Sequence, residues 1–279
     1  MILLKTYKAF DHFLLTLRSH RRAFQFVREH RLWVGFWKYG WVSRFLIFAA
    51  MIMGLKFMGI FATWINKATH SDPTQLMSVA SGMFSDLYQK GLKDLFTGNT
   101  HFIMLILLEV IIFHVIRRTL EVRFGNLPEP TLKDFIRAQV RMFFLSVFSI
   151  VAGKIITALI GIPLGMMGVW GFLKPIVEKI VQFYFLGFAV VDNYNEQFHL
   201  KIKESFKYTW RYAGVALGVG VVLYVLMAIP VVGPLLGPIL AGVTATLVMY
   251  EVSDLHLHKR EELDKVAEDE VSGMTQETV

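Results

Sequence analysis

The chain has 279 residues, 54% of them hydrophobic and 14% aromatic, with a formal net charge of +7. A mean hydropathy of +0.49 places it with polytopic membrane proteins, and no base-reading motif accompanies the positive charge. The absence of cysteine excludes disulfides, thiolate metal sites and cysteine nucleophiles, and leaves the compartment open.

Positions 1–44 are basic and aromatic. Lys5, Lys8, Arg18, Arg21, Arg22, Arg28, Arg31, Lys38 and Arg44 face only Asp11 and Glu29. Phe10, Phe13, Leu14 and Leu17 recur at the spacing of one helix face, loosely extended by Phe24 and Val27. A basic amphipathic helix of this kind lies flat on an anionic membrane face. Packing on the protein's own cytoplasmic side is the alternative. Trp33, Trp37 and Trp41 are four apart and share one helical stripe; indoles of this kind anchor at the headgroup level. The first long apolar run starts only near Phe45, so no cleavable signal peptide is expected.

Residues 45–252 are expected to form the helical membrane domain. A first span covers Phe45 to Ile65 and carries Lys56. The polar loop Asn66 to Thr100 is predicted to hold a short helix near Leu76 to Leu95. A second span, Phe102 to Ile116, contains Glu109 and His114. It should continue as helix through Arg117, Arg118 and Arg123, then stop at Gly125 and Pro128-Glu129-Pro130. Thr131 is placed to cap the next helix, with Asp134 in its first turn where negative charge suits the dipole. A third span, Met142 to Ile160, holds Lys154. The arm Trp170 to Val191 holds Lys174, Glu178 and Lys179, with Lys174 and Glu178 spaced to pair.

The final apolar stretch reads as a hairpin. Ala213 to Ile229 is one arm and Ile239 to Val252 the other, about 17 and about 14 residues against the roughly 20 that a span needs. The tip, Ile229 to Pro238, contains Pro230, Gly233, Gly237 and Pro238, residues that break helices. A re-entrant hairpin is therefore expected. Ile162-Pro163 with Gly165 and Pro175 echoes Ile229-Pro230 with Gly233 and Pro238, so the middle pair of arms could repeat the motif; ordinary helical connections are the alternative. Residues 253–279 are acidic towards their end and read as a disordered cytoplasmic tail.

The fold class expected is an all-α integral membrane protein with about six hydrophobic helical segments. Lysine and arginine crowd 1–44, 117–141 and 201–211 and are absent from 161–169 and the hairpin tip. The positive-inside rule then sets both termini in the cytoplasm.

No HExxH, Walker A, GxSxG or DFG-like set is present in the sequence. No enzyme activity and no cofactor are expected. Gly214 and Gly218 fit a small-xxx-small packing face. His256 and His258 beside Asp254 read as a solvated helix end in preference to a metal site. The charged residues expected at membrane depth are Lys56, Glu109, His114, Lys154, Lys174, Glu178 and Lys179. Such groups face a cavity or each other. Three readings are open: a structural ion-pair network, an anion path lined by the lysines, and a proton relay through Glu109 and His114.

Asp192-Asn193-Tyr194-Asn195-Glu196-Gln197 and Ile202-Lys203-Glu204-Ser205-Phe206 are followed by Gly218, Ile229-Pro230, Pro238 and Ala245-Thr246-Leu247. Together with the Ile162-Pro163 to Asp192 arm, these resemble the family of CysZ-type sulfate permeases and etoposide-induced membrane proteins, over roughly Met142 to Val252. The resemblance implies an all-helical inner-membrane protein with re-entrant hairpins, oligomeric, passing sulfate without ATP. Its N-terminal Gly-Leu/Ile-Arg element corresponds to Glu29-His30-Arg31-Leu32-Trp33, where His30 replaces the glycine. Arg28 and Arg31 are accordingly the anion-contact candidates. The expected function is a passive anion channel or permease, acting on an inorganic anion such as sulfate, with anionic lipids as a second partner. A non-transporting membrane scaffold of the same architecture is the alternative.

Overall fold

The computed structural model describes residues 2–32, 100–125, 131–166, 172–227, 229 and 232–257. These form seven helices and no strand: α1 (Ile2–Glu29), α2 (Thr100–Phe124), α3 (Leu132–Met166), α4 (Leu173–Gln197), α5 (Ile202–Arg211), α6 (Ala213–Met227) and α7 (Val232–Val252). The expectations at Trp33, Trp37 and Trp41, the first span with Lys56, the helix near Leu76 to Leu95, Pro230 and the tail from His258 onward lie outside the described residues.

The expected helix signals operate where they can be read. α2 continues through Arg117, Arg118 and Arg123 and gives way at Gly125, whose φ of 105° suits a residue without Cβ. Before α3, the Thr131 backbone and hydroxyl both donate to Asp134 Oδ2, at 2.9 and 2.7 Å, and the Asp134 amide donates back to the Thr131 hydroxyl at 3.4 Å. This reciprocal cap satisfies first-turn amides that have no helical acceptor.

Several boundaries differ from the sequence expectation. α3 runs through Gly161, Ile162 and Pro163 to Met166, where a break after Ile160 was expected. α7 begins at Val232, so Gly233, Gly237 and Pro238 lie in a helix and not at a tip, and the second arm has 21 residues. The reason is local. Pro234 falls in the first turn of α7, where a missing N–H breaks no bond. Pro238 forfeits only one bond, close to the same end. The arm is longer than expected, about 32 Å at the helical rise, but its apolar helix Leu236–Val252 stays short of a span.

The helices pack around a core of Tyr184 to Tyr194 on α4 with Val215, Val219 and Leu223 on α6 and Ala241, Ala245 and Met249 on α7. Glycines set the closest approaches. A Cβ added at Gly187 would meet the Ala216 carbonyl oxygen at 1.8 Å, and one at Gly220 would meet that of Phe183 at 1.8 Å. α4 and α6 therefore run antiparallel in near backbone contact. On another side of α6, Gly214 faces the backbone of Ala9 and Phe13, and Gly218 faces Thr16. The expected small-residue face is the seat of α1.

α1 is packed on the protein. Its stripe buried against the protein is Thr16, Ser19, Ala23 and Phe26, which is not the Phe10, Phe13, Leu14 and Leu17 set, and Arg22 reaches Glu251 at the end of α7 at 3.2 Å. Small and hydroxyl side chains permit the close approach to α6 that bulky ones would block. Tyr7, Phe10 and Phe24 remain exposed.

One helical stretch among the described residues, Ile136–Pro163, is long and apolar enough to cross a membrane, with mean hydropathy 2.2 and little of it buried. α5 and α6 meet that criterion only as a pair, bent by 96°.

Candidate functional site

α3 and α4 lie antiparallel, and the register is fixed at three levels. Arg141 pairs with Asp192, Gly153 packs against Val181 and Phe185, and Gly161 packs against the stem of Lys174, 3.3 Å from its Cε to an added Cβ. From Ser149 to Gly161 the helices part to leave an open groove of about 550 Å³. Its α3 wall repeats small residues one turn apart: Ser149, Gly153, Thr157 and Gly161. Its α4 wall carries Lys174, Glu178 and Gln182 at the same spacing, with Lys179 beside them, and Lys154 joins from α3. Small residues on one wall make the room that long polar chains on the other wall line.

Four of the residues singled out from the sequence, Lys154, Lys174, Glu178 and Lys179, are thus brought to one groove. With the lysines protonated and the glutamate ionised, their formal charge is +2. The expected Lys174–Glu178 pairing is not formed. Lys179 instead donates to Gln182 Oε1 and to the Tyr224 hydroxyl, both at 3.0 Å, with its ammonium 4.9 Å from the Tyr224 ring centre. A cation over a ring face and between two oxygen acceptors is held in place.

The remaining sequence candidates are elsewhere. Glu109 is fully buried on α2, where Asn193 Nδ2 donates to its Oε2 at 3.1 Å. His114 lies five positions on and bonds the Leu32 carbonyl through Nε2 at 3.0 Å. The two point to different partners, so the relay that joined them has no direct contact in the structure. Arg28 is exposed in the last turn of α1, and Arg31 is exposed in the turn after it at φ 46°. Neither lines the groove. Gly233 is packed against the Leu226 carbonyl, and Gly237 against Leu223 and Leu226; these glycines seat α7 on α6.

A second polar cluster was missed by the sequence reading. Arg141 holds Asp192 with two bonds, Nε to Oδ2 at 2.7 Å and Nη2 to Oδ1 at 2.8 Å, and donates from Nη1 to the Leu200 carbonyl at 2.6 Å. Glu196 Oε2 is 3.7 Å from the same guanidinium. Glu196 lies beyond the apolar part of α4, and burial pushes its carboxyl up to about 7 against the opposing pull of Arg141. Asn195 Nδ2 donates to Ser205 and Thr209 of α5, both at 2.9 Å. The signal that could have found the cluster was an arginine inside an apolar run, which demands a buried acceptor. No group of ligands fit to hold a metal ion occurs among the described residues.

Comparison of the chain with protein-family models, with curated proteins and with solved structures finds no match.

Proposed function

We propose that this is an integral membrane protein that provides a passive path for an inorganic anion, of the sulfate-permease type, with the α3/α4 groove as part of the path. The observation that carries the reading is the convergence of Lys154, Lys174 and Lys179 on one groove between two apolar helices. Ammonium groups beside low-dielectric walls attract anions more strongly than in open water. Glu178 tempers that attraction, as a conducting site must bind weakly enough to release. Membrane insertion is supported by Ile136–Pro163, whose apolar residues are turned outward: Phe143, Phe144, Val151, Leu159 and Ile162 are all 50% or more exposed. Lipid, or the same face of a second copy, would cover them. The charge pattern orients both termini to the cytoplasm, which sets the groove in the outer half of the α3/α4 pair.

The cysteine-free chain permits a direct test. Thr157→Cys in proteoliposomes should react with a charged thiol reagent added outside, and sulfate should slow that reaction. A rate indifferent to sulfate would remove the groove from the path. The scaffold reading draws on one observation, the exposed cations Arg18, Arg21, Arg22 and Arg28 on α1. It predicts binding to anionic vesicles without any flux.

A further inference from the structure

Ser149 is 1% exposed, forms part of the groove wall, and its hydroxyl has no hydrogen-bond partner in the protein. A buried helical hydroxyl ordinarily bonds the carbonyl four residues back. This chain does so at Thr16, Ser19, Thr119 and Thr246, with distances of 2.6 to 2.8 Å. The buried hydroxyls of Ser146, Ser149 and Thr244 depart from that pattern, and of the three Ser149 is the one that lines the groove. Across the groove, Gln182 accepts from Lys179 through Oε1, which leaves its Nε2 hydrogens to donate. Two neutral donors therefore stand at the inner end of a cationic groove. An unpaired buried donor is costly, and the cost is removed when a ligand supplies the acceptor.

Resting on the reading of the groove as an anion path, we propose that Ser149 and Gln182 form its recognition element and select an oxyanion over a halide. Lysines attract any anion of suitable charge. An oxyanion also offers several separate oxygen acceptors, so it can engage an ammonium, a hydroxyl and an amide together. A halide accepts hydrogen bonds too, but from one small centre, so an ion held by the lysines reaches fewer of the other donors than an oxyanion with several oxygens does. The oxyanion chemistry is shared by free sulfate and by the phosphate of a lipid headgroup.

The test is binding of sulfate and of chloride to the full chain in phosphatidylcholine nanodiscs, for wild type, Ser149→Ala, Gln182→Ala and Lys154→Gln. Ser149→Ala should weaken sulfate about tenfold, the scale of one hydrogen bond to a charged acceptor, and leave chloride unchanged. Gln182→Ala should shift selectivity in the same direction, which covers the case in which one variant fails to fold. Equal effects on the two anions, or none on either, overturn the inference. Lys154→Gln separates the two levels. If it weakens both anions while Ser149→Ala does not discriminate, the path stands and the recognition element falls. If it weakens neither, the groove itself is not the anion site. Repeating the series with phosphatidylglycerol identifies the source. Sulfate binding that is indifferent to lipid makes the ligand the free anion. Competition by phosphatidylglycerol that is relieved in Ser149→Ala makes it the headgroup phosphate; both results keep the oxyanion assignment.

Discussion

Arg141 shows what a buried charge at the head of an apolar run demands. Its side chain is 13% exposed and that of Asp192 is 4% exposed, so each would be an uncompensated buried charge without the other. Arg141→Met should lower stability by about 3–5 kcal/mol, and the double variant with Asp192→Leu should recover much of that loss. Thermal unfolding of the three proteins in one detergent checks this. Glu196, beside the same guanidinium, has its folded value raised to about 7 from the ordinary 4.5. The folded state therefore holds the proton more tightly than the unfolded state. Its contribution is fully present below about pH 4.5 and is lost as pH rises through 7. The melting temperature of wild type should fall relative to Glu196→Gln across that window, and parallel curves would contradict the assignment. In the groove, Glu178→Gln raises the formal charge of the four charged side chains from +2 to +3. It should tighten sulfate binding severalfold in a direct titration.

Between helices, the determinants are glycines whose partners the sequence does not name. Gly214 and Gly218 could be recognised as a packing face from spacing alone, but nothing local says that α1 is what seats there. α1 also shows that apolar spacing does not mark which face meets the protein. Thr16 and Ser19 satisfy their hydroxyls on His12 and Leu15, so polar residues occupy the buried stripe while Phe10 and Phe24 stay outside. Proline position had the same effect on α7, since a proline in a first turn begins a helix where a proline in mid-helix would end one. Gly220→Ala places a methyl group 1.8 Å from the Phe183 carbonyl oxygen and must push α4 and α6 apart. It should destabilise the bundle by about 1–3 kcal/mol or more. Gly153→Ala meets Phe185 at an ordinary 3.6 Å and should be tolerated. Comparing the melting temperatures of these two variants tests whether α4 and α6 touch through backbone.

For the whole molecule, the helical class and the charged groove residues could be read from the sequence, because charges in apolar runs are rare and few. Their meeting could not. It depends on the α3/α4 register, set by Arg141 with Asp192 at one end and Gly161 with Lys174 at the other. The same antiparallel pairing turns the apolar residues of α3 outward and its small residues inward, so one helix supplies both an exposed apolar surface and a groove wall. If the groove is a path, anions move along that wall. Radiolabelled sulfate flux into proteoliposomes, without ATP, measures this for wild type and for the Lys154→Gln, Lys174→Gln double variant. The prediction is wild-type flux well above empty vesicles and at least a tenfold loss in the folded variant, whose groove falls from +2 to neutral. Wild-type flux no faster than empty vesicles, or equal flux in both proteins, would contradict it.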